Sequence, residues 1–157
     1  MTYRIAILGD FNPSLITQHA VNGSIRHAQK RLGKDIQYDW INTDIFDSKI
    51  VFNRGYSGLW IVPGSPYRSM ENVIDAIAYT RTKKIPTFGI CAGFQHILIE
   101  FARDVCGIKN AEHEETGISS SDFIISKLAC SLVEQEEKIS IIDESSKLFK
   151  LIKQKYI

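Results

Sequence analysis

A chain of 157 residues with 44% hydrophobic residues and a formal net charge of +1 has room for one domain with a sizeable core and not for two ordinary ones. No basic block suggests nucleic acid, no apolar run approaches transmembrane length, and Met1-Thr2-Tyr3-Arg4 enters an apolar stretch without a cleavage-like signal, so nucleic-acid and membrane roles are set aside. Three cysteines, Cys91, Cys106 and Cys130, are an odd number without metal-ligand spacing, which favours free thiols in a reducing cytoplasm and no metal site.

Residues 3–9 read as a buried strand and 10–14, beginning at Asp10, as the loop after it. A helix is expected from Ser14 to Leu32, with Val21, Ile25, Ala28 and Leu32 on one face, weakened at Asn22-Gly23 and stopped by Gly33. Residues 35–41 form a second strand, 43–56 are irregular or weakly helical, and 58–62 form a third strand running into Pro63-Gly64-Ser65-Pro66-Tyr67. Ser69 caps a helix whose stripe is Met70, Val73, Ile74, Ile77 and Ala78. A fourth strand, 87–90, reaches Cys91 and gives way at once to a helix running to about Cys106. Phe94, Ile97, Leu98, Phe101, Ala102 and Val105 share one face of that helix, which leaves His96, Glu100 and Arg103 off the stripe and expected in solvent. Beyond Gly107 the pattern loosens. Residues 110–121 read as a polar loop, 122–125 and 138–142 have strand-like composition, and 145–155 carry lysines at helical spacing.

Continuous apolar strands alternating with helices imply a doubly wound α/β domain, a mostly parallel sheet with helices on both faces. Any site then lies at the carboxyl ends of the strands, where residues 10–14, residues 63–67 and Cys91 converge. Strand, tight turn and helix around Gly89-Ile90-Cys91-Ala92-Gly93 is the geometry of a nucleophile elbow. Flanking glycines relieve the crowding, and the amides of the following helix can lower a thiol pKa and hold an oxyanion. The competing account is a buried cysteine that packs as a small hydrophobe.

With those residues in view, the sequence resembles a class I, triad-type glutamine amidotransferase of flavodoxin-like fold. It is most similar to the glutaminase domain of CTP synthase and to stand-alone CTP synthase-like proteins, enzymes of pyrimidine nucleotide biosynthesis. The resemblance rests on Gly89-Ile90-Cys91-Ala92-Gly93-Phe94-Gln95, on Glu100-Phe101-Ala102-Arg103-Asp104-Val105-Cys106-Gly107, and on Val62-Pro63-Gly64-Ser65-Pro66-Tyr67 in the place of the glycine-rich oxyanion loop. It makes residues 1–157 a single amidotransferase-like domain with a core at about 3–142 and an atypical tail at 143–157. It implies that Cys91 attacks the side-chain amide of glutamine and releases ammonia from a thioester, with no cofactor and no metal. Amides of Gly64 and Ala92 would receive the oxyanion, and Gln95 and Ser65 would hold the substrate, glutamine or a related small molecule.

Two departures stand out. Ser65 occupies the place of a usual second glycine, and nothing after Cys91 resembles the family's His-Pro-Glu segment, so the domain is expected to be C-terminally truncated and its triad incomplete. His113 is expected in a solvated loop near the opposite pole from Cys91, and His27 lies mid-helix. His19 and Asp10 start at the right edge of the sheet and are the candidate cleft residues. The expected function is therefore a CTP synthase-like glutaminase, impaired or completed by a homodimer mate or partner subunit. The alternatives are a non-catalytic binding module of the same fold and, third, a PfpI-type cysteine hydrolase. That last group commonly has His after the nucleophile, where this chain has Ala92.

Overall fold

The computed structural model describes residues 2–64, 66–114, 122–126 and 138–156. In chain order the elements are β1 (Thr2–Leu8), α1 (Ile16–Leu32), β2 (Asp35–Ile41), a 3-10 turn (Thr43–Ile45), α2 (Ser48–Asn53), β3 (Gly58–Ile61), α3 (Met70–Thr82), β4 (Thr87–Gly89), α4 (Ala92–Asp104), β5 (Ala111–His113), β6 (Asp122–Ile125) and α5 (Lys147–Ile152). Two compact units emerge, residues 1–126 and 127–157.

In the first unit the alternation of strands and helices closes into a four-stranded parallel sheet of order β2-β1-β3-β4. Thr2 stands opposite Asp35 and Leu8 opposite Ile41, while Ile5 to Leu8 face Gly58 to Ile61 on the other side of β1. From β1 the chain moves outward to β2 and then returns across β1 to β3. That reversal opens the strand ends after β1 and β3 into a crevice.

Successive residues of β1 serve opposite faces. Ala6 and Leu8 join Leu59, Ile61, Val73, Ala76, Ile77 and Ala92 beneath α3 and α4. Ile7 instead joins Val21 and Ile25 of α1, together with Val62. Each fully buried Leu or Ile contributes about 1.5–3 kcal/mol by leaving water, so both helical layers are anchored through one central strand. Helices on both faces of a parallel sheet match the expected fold class.

Helix boundaries follow local chemistry. Gly33, at φ 60, ends α1 with its N–H donating to the Gln29 carbonyl. The Ser69 hydroxyl accepts from the Asn72 N–H at 3.2 Å and caps α3, as its place in the sequence implies. Residues 43–56, unreadable as sequence, resolve into the 3-10 turn and α2, whose Asp47 cap accepts from the Ile50 N–H.

Helix α4 overturns the expected stripe. Of that stripe Ala102 is buried and Ile97 packs against the core, but Phe94, Leu98, Phe101 and Val105 are exposed, and Ala92, Gly93, His96, Ile99 and Glu100 are buried instead. Both sets have helical spacing, so periodicity alone could not choose between them. The buried set wins because small Ala92 and Gly93 let the helix approach β3, and its polar members find partners. Glu100, 1% exposed, takes an ion pair from Arg81 of α3 on both oxygens, Nη2 donating to Oε1 at 2.7 Å and Nε to Oε2 at 3.1 Å. Arg103 pairs with Glu112 at 2.8 Å and donates to the Ala111 carbonyl. Leu32 is likewise 61% exposed, at the rim of an apolar cavity of about 840 Å³ beside Ile25, Ile36, Trp60 and Phe88.

Within the stretch read as a polar loop, Ala111–His113 is a buried strand paired in parallel with β6. In the second unit, residues 138–142 are not a strand: Ser140 makes one antiparallel bridge to Tyr156, and Ile141 donates to the Lys155 carbonyl. Helix α5 fulfils the helical spacing there, capped by Ser146 accepting from the Phe149 N–H. Among the described residues no helix is long and apolar enough to cross a membrane.

Candidate active site at the Cys91 turn

Cys91 sits between β4 and α4 at φ 54 and ψ −120, a backbone conformation that side-chain-bearing residues rarely adopt. Such a residue costs about 1–3 kcal/mol and persists only where its surroundings hold it. Three contacts hold it here. Ile90 donates to the Ile61 carbonyl at 3.1 Å, Gly93 donates to the Ile90 carbonyl at 3.0 Å, and Gln95 donates to the Cys91 carbonyl at 3.1 Å.

Glycines make the turn possible. A Cβ on Gly93 would overlap the Ile61 carbonyl oxygen and lie 2.9 Å from its carbon. A Cβ on Gly89 would lie 2.7 Å from the Gly93 carbonyl group. The helix therefore starts almost on top of the strand, and the thiol is presented outward: Cys91 is exposed while Ala92 is buried.

The loop after β3 carries Gly64 at φ 151. A Cβ built there would lie 3.6 Å from the Gln18 Nε2 and 4.0 Å from the Tyr67 ring. Gln18 is fully buried; its amide donates to the Asp10 carbonyl at 3.2 Å and accepts from the Asn12 N–H at 2.6 Å. Tyr67, 5% exposed, donates its hydroxyl to the Val62 carbonyl at 2.6 Å and meets the His96 ring edge to face at 5.2 Å. Burial above all, then the negative charge of Cys91 and of Asp10, pushes the Tyr67 phenol well above its ordinary value. The Tyr67–His96 ring contact and the Arg68 N–H bond to Asp10 tie the loops after β1 and β3 and the start of α4 into one neighbourhood.

Asp10, half-buried just after β1, links three loops. Its carboxylate accepts from the Thr43 N–H at 2.9 Å, the Thr43 hydroxyl at 2.9 Å and the Arg68 N–H at 2.8 Å, which stitches the loops after β1, β2 and β3 together. Burial raises its pKa, but hydrogen bonds from Arg68 and Thr43 outweigh that and hold it below 3.8. His19 is exposed at the start of α1, with Nε2 taken by the Pro13 carbonyl at 2.7 Å. Gln95 is half-buried in the first turn of α4, and Ser65 lies outside the described residues.

His96 and His113 depart from expectation, at 3% and 5% exposure. His96 Nδ1 lies 2.7 Å from the Ala92 carbonyl oxygen, which can only accept, so the ring proton is assigned to Nδ1. Burial lowers its pKa, partly offset by the Ala92 bond, and the nearby His113 lowers it further. His113 is buried on β5 and not in a solvated loop. Sequence reasoning missed Gln18, Tyr67 and His96 as organisers of the site. For Gln18 a signal existed: it falls three residues before Val21 and seven before Ile25, on the apolar stripe of α1.

The family model described as "Glutamine amidotransferase class-I" matches residues 17–153. CTP synthase of Desulfitobacterium hafniense (strain Y51) is 34% identical over 126 residues, covering 79% of this chain and 24% of that protein. CTP synthase of Saccharolobus solfataricus is 33% identical over 131 residues, covering 81% of this chain and 24% of that protein. The chain thus spans about a quarter of the length of these relatives. Among solved structures, the glutaminase domain of Trypanosoma brucei CTPS with bound acivicin superposes with a TM-score of 0.80 at 22% identity, over 98% of this chain and 64% of that one, which is a likeness of fold.

Proposed function

The chain belongs to the class-I glutamine amidotransferase family, and from that premise we propose that it is a CTP synthase-like glutaminase module with Cys91 as its nucleophile. The observation that carries this reading is the backbone of Cys91, held at φ 54 with an exposed thiol at the start of α4. Strain of this kind needs a use, and an outward thiol beside helix amides has one.

In the proposed reaction the Cys91 thiolate attacks the side-chain carbonyl carbon of glutamine. The tetrahedral oxyanion is received by the N–H groups of Gly64 and Ala92, while Gln95 and Ser65 hold the substrate. Collapse expels the amide nitrogen as ammonia once it gains a proton, leaving a γ-glutamyl thioester. Water then attacks the thioester, loses a proton and releases glutamate. Each proton transfer calls for an imidazole within hydrogen-bond reach. Of the chain's four histidines, the His19 and His96 rings hold main-chain carbonyls, His27 lies exposed in the middle of α1, and His113 is buried in β5. Loss of general acid–base help costs ~100- to 10,000-fold, so this 157-residue polypeptide acylates but turns over slowly. A partner subunit or second copy that presents an imidazole to Cys91 would restore turnover. The ammonia would serve an acceptor in cytoplasmic pyrimidine nucleotide synthesis.

The same ring contacts favour a second reading, a module that binds glutamine or a related small molecule without turning it over. Ammonia release from glutamine separates the two, with Cys91→Ala as control. Slow Cys91-dependent release, together with mass-spectrometric trapping of a glutamyl adduct on Cys91, supports the glutaminase. Glutamine binding by calorimetry with no adduct supports the binding module. Absence of both removes glutamine from consideration.

A further inference from the structure

Two segments of this chain bear the amides offered above for the oxyanion, and each is fastened by one buried ring. Tyr67 fastens the loop after β3: its hydroxyl donates to the Val62 carbonyl at 2.6 Å, and a Cβ built on Gly64 would come within 4.0 Å of its ring. His96 fastens the first turn of α4: its Nδ1–H donates to the Ala92 carbonyl at 2.7 Å. The two rings then meet edge to face, centroids 5.2 Å apart at 67°. Aromatic pairs prefer this arrangement because the positive edge of one ring meets the negative face of the other.

We propose that Tyr67 and His96 are a positioning pair that sets the separation and aim of the Gly64 and Ala92 amides. This rests on the glutaminase reading and assigns roles to two residues outside its chemistry. Neither ring takes or gives a proton in the reaction. Tyr67 has its hydroxyl committed to Val62 and its ionisation suppressed by burial. His96 has Nδ1 committed to Ala92, while its buried Nε2 has no hydrogen-bond partner among the described residues. A buried nitrogen without a partner is costly to keep. An apolar side chain would avoid that cost, so the Nδ1–H bond to Ala92 is the feature that gives a histidine its use at this position.

The pair predicts a specific chemical signature. Oxyanion donors matter only when a carbonyl is attacked, so misaiming them slows acylation and spares simple alkylation. The acylation probe is the γ-(p-nitrophenyl) ester of glutamate. Cys91 thiolate attacks its γ-carbonyl, the C–O bond breaks, p-nitrophenolate leaves with the electron pair, and the thiol proton passes to buffer. This leaving group needs no general acid. The alkylation probe is iodoacetamide, displaced at carbon with no oxyanion.

Burst rates of p-nitrophenolate release, less the Cys91→Ala background, are compared with Cys91 carboxamidomethylation rates for wild type, Tyr67→Phe, His96→Leu and His96→Asn. The amide of Asn reaches the position of Nδ1, so it replaces the lost donor. Expected are burst rates lowered about tenfold or more in Tyr67→Phe and His96→Leu, with alkylation within about threefold of wild type. His96→Asn recovers the burst to within about threefold. An unchanged burst in His96→Leu, equal slowing of both reactions, or no recovery with asparagine overturns the positioning role while leaving the glutaminase reading intact. A wild-type chain with no Cys91-dependent burst overturns that reading and this inference with it.

Discussion

Replacing Gly93 with alanine probes the closest approach in the site. The new methyl would overlap the Ile61 carbonyl oxygen and lie 2.9 Å from its carbon and 3.0 Å from its Cβ. Carbon atoms rest at about 3.5–4.0 Å, so something must move by about 0.5–1 Å. Ile61 cannot yield, because it is fully buried in β3 with β1 on one side and β4 on the other. The helix start must lift instead. Overpacking of this kind costs about 1–3 kcal/mol, and a backbone obstacle argues for the upper end, about 3 kcal/mol. For a chain of this size each kcal/mol is worth roughly 2–4 °C, so Tm should fall by about 6–12 °C in a calorimetric or circular-dichroism melt. A lift of about 1 Å also carries Cys91 with it and should slow acylation by about 100-fold. Gly23→Ala is the control of opposite sign. That glycine lies inside α1 with its nearest neighbour, the Arg26 Nη2, 3.9 Å from the added methyl, so alanine should stabilise by about 0.5–1 kcal/mol. If Gly93→Ala melted within 2 °C of wild type and acylated normally, the account of the turn as a backbone-to-backbone contact would be wrong.

Arg81→Met should cost about 3 kcal/mol in urea unfolding by stranding the buried Glu100 carboxylate, and the double variant with Glu100→Met should recover much of that loss. Asp10, whose folded pKa lies below 3.8, contributes stability that is complete above about pH 4 and lost as pH falls through the folded value. The gap in urea midpoint between wild type and Asp10→Asn should therefore close below pH 4. His96, with a folded pKa lowered from 6.5, favours the folded state fully above pH 6.5 and progressively less as pH falls towards the folded value. His96→Asn should flatten the decline in stability between pH 7 and 5. Of the two described thiols, both exposed, Cys91 should label faster with iodoacetamide than Cys106, because only Cys91 precedes helix amides; peptide mapping reads the ratio.

Much of the fold was legible because its signals are local. Gly33 and Ser69 mark a helix end and a helix start through backbone conformation and a single hydroxyl, and neither depends on distant residues. Apolar runs bounded by turns placed β1 to β4, and their alternation with helices dictated parallel pairing. The Cys91 turn was legible too, since only small residues at positions 89, 92 and 93 allow a helix to begin against a strand.

Tertiary structure decided what depends on partners far along the chain. Two faces of α4 carry helical spacing, and the one with His96 and Glu100 is buried because Arg81, nineteen residues away, neutralises the carboxylate. Asp10 follows β1, and that its oxygens bind Thr43 and Arg68, 33 and 58 residues distant, could not be read from its neighbours in sequence. Tyr67 and His96 bond only to nearby carbonyls, of Val62 and Ala92, and it is the ring-to-ring contact between them that the fold had to bring together. Burying a charged side chain requires a partner, and where the partners of Glu100 and Asp10 lie is fixed only once the sheet has brought the loops and helices together.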